Sequence, residues 1–188
     1  MIGDQSDANA LVDAQRHLAY HQIRVLLLVR AVAKVAGNAN KLDGLTKLAK
    51  LDFLVRYPAL AQKVVSASKS DPRMFPTVDD KLEAESPMIR YKYGPWDHTY
   101  YPVIGALVGK GLVSYVKNRK GSVALRPTRS GNSLAKSLEG DQLWVDLAAR
   151  CTAVAEHAGG FSGSQLKELI YENLPEVVSL AHGEVIRR

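Results

Sequence analysis

His17 and His21 stand four residues apart, a spacing that puts both rings on one face of a helix and within reach of one metal ion. The pair lacks the adjacent glutamate of a zinc-protease helix and has no identifiable third ligand, so two packed or solvated histidines are the better reading. The run GALVGK at 105–110 has the glycines and lysine of a phosphate loop. However, it places three residues between its glycines where the loop needs four, Gly111 stands where a Ser or Thr would bind magnesium, and no strand precedes it. A helix terminus suits these glycines better, and no ATP hydrolysis is expected of this chain. Cys151, the only cysteine, needs a base and an orienting group to act as a nucleophile, and His157 lies six residues on, on another helix face. A buried structural thiol is expected there. Asp97-His98 could be half of an acid–base pair, but no Ser or Cys partner is evident and Asp97 reads as a helix cap. Asp79, Asp80 and Glu83 could hold magnesium, yet they fall in a stretch without apolar periodicity and read as a solvated acidic loop. The expectation is a non-enzymatic chain with no catalytic residue, no cofactor and no metal ligand.

Two stretches carry more signal. Between His98 and Leu138 there is no Asp or Glu, while Lys110, Lys117, Arg119, Lys120, Arg126, Arg129 and Lys136 all fall there. A surface of one sign attracts phosphate by releasing condensed counterions, and it equally suits an acidic protein surface. The second stretch is ESPMIRYKYGPWDHTYY, in which Arg90, Lys92 and His98 are set among Tyr91, Tyr93, Trp96, Tyr100 and Tyr101. Such rings can stack bases, or they can fill a tight corner with their polar ends in water. The corner is preferred because the aromatics adjoin Gly94-Pro95 instead of lying across an open sheet. Trp96 and Tyr93 are expected to be largely buried, with Arg90 or Lys92 facing a partner.

These residues need a frame. A long helix is predicted from about residue 8 to 36; Val25 to Val29 give too many apolar positions for one stripe, so it should run through the core. Asp43 can cap a second helix, in which Leu45, Leu48, Leu51 and Val55 recur at three- and four-residue steps. Tyr57-Pro58 ends it, and Pro58 opens a third helix. Lys69 to Ser86 reads as a long mobile surface loop. A short strand at Ile89–Tyr93, a turn at Gly94-Pro95 and a helix from about His98 to Lys110 follow, with Asp97 at its start. Two strands, about Leu112–Val116 and Ser122–Arg126, make a hairpin whose tip is Arg119-Lys120-Gly121, and a helix begins near Thr128. A helix from about 141 to 158, a Gly159-Gly160 hinge and a helix over SGSQLKELIYENLP that Pro175 ends follow, and the tail is expected to fold only on a partner.

The fold class is therefore mainly α with a small β-hairpin wing: a winged-helix-like core over 1–138, with its wing at about 112–127, and a C-terminal helical extension and tail over 139–188. The chain has 188 residues and a net charge of +6, which suits an acidic partner. A single cysteine, a polar start and the charges at Arg30 and Lys34 inside the most apolar run point to a cytoplasmic protein without a membrane span.

Three segments, in order, resemble the middle component of the bacterial ABC-three-component defence systems of the Lamassu type. They are GLTKLAKLDFLVRYP (44–58), ESPMIRYKYGPWDHTYYPVIGALVGKGLV (85–113) and FSGSQLKELIYENLPEV (161–177). The resemblance implies a non-catalytic winged-helix accessory subunit beside an SMC- or Rad50-like coiled-coil ATPase. It implies an effector subunit of nuclease type as a second partner, double-stranded DNA as a further contact, and a role in antiviral defence. It carries over no catalytic residue. It marks Arg90, Tyr91, Tyr93, Gly94, Pro95, Trp96, Asp97 and His98 as a conformational or interface signature. The alternative is a free-standing winged-helix DNA-binding regulator or antitoxin. That would read bases with the Asp97–Lys110 helix, which offers Thr99, Tyr100 and Lys110 but no Asn, Gln or Arg inside.

Overall fold

The computed structural model describes residues 3–65, 71–76, 87–117 and 122–187, with side chains from Leu18 onward. Helix α1 (Gly3–Lys34) is the axis of the molecule. Val25, Leu26, Leu28, Val29 and Val32 are buried on every side of it, as an all-round apolar helix requires, and α1 packs against the later helices and the sheet. After a turn, β1 (Leu42–Asp43) leads into α2 (Leu45–Arg56). Asp43 does not cap this helix. Gly44 occupies that position, and Asp43 instead pairs with Ala124 in the sheet and with Lys41 at 3.0 Å. Leu48, Leu51, Phe53, Leu54 and Val55 of α2 are all buried. Pro58 ends α2 and opens α3 (Pro58–Val64).

The expected surface loop over Lys69–Ser86 is corrected in its described part. Residues 71–76 form a single 3-10 turn (Pro72–Met74) that docks on α6 (Val145–Ala158), and Met74 is fully buried. Asp71 fastens the turn: it accepts bonds from the Arg73 amide and guanidinium and lies 2.8 Å from His157 Nε2, while Arg73 also reaches Glu156. Asp79, Asp80 and Glu83 lie outside the described residues.

The corner is a hairpin of β2 (Ile89–Tyr91) and β3 (Gly94–Trp96), with Lys92 and Tyr93 as its two-residue turn. Gly94-Pro95 is thus strand, not the turn expected from its sequence. Proline is tolerated because its partner Arg90 directs its own amide and carbonyl the other way, to Glu184 O and Gly183 N at 2.8 Å each. The segment around Val185 lies along the free edge of β2. Ile186 is buried, donates its amide to Met88 O, and offers its carbonyl to the Tyr57 hydroxyl, which also accepts from Met88 N. The tail therefore folds on its own chain, which corrects the expectation that it needs a partner: its backbone donors and acceptors complete a sheet edge.

Helix α4 (Tyr100–Gly109) ends in a Schellman motif, with Leu112 N bonded to Leu107 O and Gly111 N to Val108 O. Strands β4 (Val113–Lys117) and β5 (Val123–Pro127) pair antiparallel from Val113↔Pro127 to Lys117↔Val123. β1 adds to β5, giving the order β1-β5-β4. Thr128 caps α5 (Arg129–Glu139) by accepting from Gly131 N, and its hydroxyl donates to Gly111 O, which locks α5 to the end of α4. Beyond α6, α7 (Gly163–Asn173) starts with a Ser162/Gln165 capping box, and α8 (Pro175–Val178) follows. The protein is mainly helical with small antiparallel sheets. Among the described residues no helix is long and apolar enough to cross a membrane.

Candidate functional site

The signature residues divide between the inside and the outside of the corner. Gly94, Pro95, Trp96 and Asp97 are buried, while Tyr91, Lys92, Tyr93 and His98 are exposed and Arg90 is half-buried. Trp96 is 9% exposed, as expected, but Tyr93 is 51% exposed, which overturns its expected burial: it sits in the hairpin turn, where its ring has no strand neighbour to cover it. Lys92 Nζ lies 5.4 Å from the Tyr93 ring. Gly94 has φ 118°, a conformation open to glycine, and a Cβ there would stand 3.2 Å from Lys50 Cε. The corner can therefore press onto α2 only with glycine at this point.

Trp96 is the hub of the outer layer. Its ring meets Tyr100 edge-on at 5.5 Å, Tyr101 at 5.9 Å and Tyr91 at 6.2 Å. With Lys50, Tyr93 and His98, the rings of Trp96, Tyr91 and Tyr101 line a cleft of about 310 Å³. Lys50 is only 3% exposed, and its Nζ donates to Thr46 O at 3.1 Å. Burial, with a smaller contribution from the like charge of Lys167, lowers its pKa to about 8.

Beneath Trp96 lies a chain of charges that sequence reasoning missed. Asp97 accepts from the Thr99 amide at 2.8 Å and hydroxyl at 2.7 Å, so it does organise the start of α4, although regular helix begins only at Tyr100. Its other oxygen takes Arg56 Nη1 at 2.7 Å. Arg56 Nη1 is 3.9 Å from Asp52, which is fully buried and accepts from Arg24 Nε at 2.7 Å, Arg24 Nη2 at 3.2 Å and the Tyr100 hydroxyl at 2.7 Å. His21 Nδ1 lies 3.0 Å from Arg24 Nη2. Burial alone would raise the Asp52 carboxyl. The charges of Arg24 and Arg56 and the bonds from Arg24 and Tyr100 outweigh it and hold the group below the usual carboxylate range. At Asp97 burial is likewise overcome, by the Thr99 bonds and Arg56. Burial and the neighbouring Asp52 carboxylate push the Tyr100 hydroxyl well above its ordinary value. The one available signal was Asp52 itself, an acid at a core-facing position of the apolar helix LAKLDFLVR. Two cations and two anions cancel here, so the network couples α1, α2 and α4 without leaving a net buried charge.

Of the basic residues, Lys110, Lys117, Arg126, Arg129 and Lys136 are exposed, and Lys110 bonds Gln22 at 2.6 Å. The wing tip, with Arg119 and Lys120, lies outside the described residues, as does the side chain of His17. His21 is buried against Arg24, and Cys151 is buried in the core. GALVGK forms the body and C-terminus of α4. Among the described residues no group of three or more His, Cys, Asp or Glu side chains is placed to hold a metal ion. Compared with known proteins, the chain matches no family model, no curated protein and no solved structure.

Proposed function

We propose that this chain is a non-catalytic winged-helix adaptor in a defence complex of the Lamassu type, joining an SMC-like coiled-coil ATPase to a nuclease-type effector. The observation that carries the winged-helix reading is the topology. A strand between the first two helices joins a three-stranded antiparallel sheet of order β1-β5-β4, and a helix leads directly into the β4–β5 hairpin. The defence and ATPase parts rest on the resemblance of residues 44–58, 85–113 and 161–177. Lys117 and Arg126 of the hairpin and Arg129 just after it are exposed, a basic charge suited to a DNA backbone or an acidic partner.

The alternative, a sequence-reading regulator, is disfavoured by α4. Its exposed residues are Tyr101, Pro102, Gly105 and Gly109, with Lys110 just beyond, and none makes the bidentate bonds that distinguish one base pair from another. Titration with random and palindromic duplexes across salt separates the two. The adaptor gives weak, sequence-blind binding that falls steeply with salt. Binding that prefers one symmetric site and survives salt contradicts it.

A further inference from the structure

We propose that the cleft between the β2–β3 hairpin and α2 is a nucleotide site, which takes a planar base among its tyrosines and an anionic phosphate at Lys50. The proposal is independent of the adaptor reading and rests on three observations. First, Tyr91, Tyr93 and Tyr101 are 44%, 51% and 61% exposed, yet two of them flank the ring of Trp96 at 6.2 and 5.9 Å. Rings serving only as packing would be covered; these keep faces open around one volume of about 310 Å³, at the small end for a ligand pocket. Second, among the described residues the lining carries Lys50 and His98 and no carboxylate. An aromatic cage alone also suits a cation, but the buried ammonium of Lys50 repels one. Third, Lys50 Nζ gives one bond, to Thr46 O, and faces the like charge of Lys167. Among the described residues no carboxylate pairs with it; burial without a counter-charge is costly for a lysine, and a phosphate supplies one. The start of α2 adds to this, since Gly44 offers no side-chain cap and Leu45 and Thr46 line the cleft.

The chain has two tryptophans. In a Trp144→Phe background, fluorescence therefore reports Trp96 alone. The probes are dAMP, a 5′-phosphorylated oligo-dA strand, the same strand without its phosphate, and inorganic phosphate. The expected result is saturable quenching by dAMP or by the phosphorylated strand, and none by inorganic phosphate. Quenching by the strand alone assigns the source as a nucleic-acid end; quenching by dAMP at equal concentration assigns a free nucleotide. Tyr93→Ala, at an exposed turn, should weaken binding about tenfold or more, the usual worth of one stacked base. Lys50→Met should abolish the preference for the phosphorylated strand. The proposal is overturned if neither nucleotide probe quenches at millimolar concentration, if inorganic phosphate quenches equally, or if both variants bind like the parent.

Discussion

Asp52→Asn is nearly isosteric, so it opens no cavity and removes one charge from the network of Arg24, Asp52, Arg56 and Asp97. In the parent the two arginines face two carboxylates, with bonds of 2.7 Å from Arg24 to Asp52 and 2.7 Å from Arg56 to Asp97. The variant leaves the cluster with a net positive charge at side chains of Arg24 and Arg56 that are each only 1% exposed. Breaking a buried pair on one side costs about 3–5 kcal/mol, a large part of the roughly 5–15 kcal/mol that holds such a protein folded. With a urea slope of about 2 kcal/mol/M, the midpoint should fall by roughly 2 M. Circular dichroism in urea measures this. Adding Arg24→Met should recover much of the loss, because the remaining Arg56–Asp97 pair is neutral. The parent should also lose stability in acid. Asp52 and Asp97 have depressed folded pKa values, so their contribution is present above the unfolded carboxylate pKa of about 3.9 and disappears as pH falls through the lower folded values. A loss below about 1 kcal/mol in Asp52→Asn, or no recovery in the double variant, would refute the claim that charge pairing holds these three helices together.

Other outcomes follow from single contacts. Lys50 titrates at about 8 in the folded state, against about 10.4 unfolded, so the unfolded chain binds more protons between these values and stability should rise with pH across that window. Comparing denaturation midpoints at pH 8 and pH 10 for parent and Lys50→Met tests this, and the rise should be smaller in the variant. Tyr57→Phe removes the hydroxyl that joins Met88 N to Ile186 O, leaving a buried amide and carbonyl each short of a partner. It should cost about 1–3 kcal/mol and speed hydrogen exchange at residues 183–186. Gly131→Ala would place a Cβ 1.9 Å from Leu112 O, which neither backbone can avoid without separating α5 from the β4 entry. A thermal melt should show a loss of several degrees or more, since strain of a few kcal/mol moves a protein of this size by roughly 2–4 °C per kcal/mol.

The longer helices were legible in the sequence because each carries its own signals, whereas the short α8 falls where Pro175 was read only as a stop. The unbroken run Val25–Val29 marks the all-round buried helix, the Leu45–Val55 steps mark α2, and Ser162 with Gln165 closes a capping box. What escaped has no local signature. β1 is two residues long and exists because Leu42 and Asp43 meet Leu125 and Ala124 across the fold. Asp71 and Met74 look like loop residues until α6 supplies His157 and a buried surface for them. Gly94-Pro95 reads as a turn, and only the neighbouring tail explains why proline fits in a strand there. At the candidate site the aromatic content was visible, but its division into a buried Trp96 and three exposed tyrosines depends on where α2 and α4 lie. The Arg24–Asp52 pairing spans 28 residues, and no periodicity could announce it.

The central proposal is that this chain works as a subunit of a coiled-coil ATPase assembly. Its most direct test is co-expression with its genomic neighbours, affinity capture through this chain, and mass measurement of the eluate by light scattering. The account predicts a stoichiometric complex containing a large SMC-like ATPase. A chain that elutes alone as a monomer, while the ATPase is produced in soluble form beside it, would contradict it.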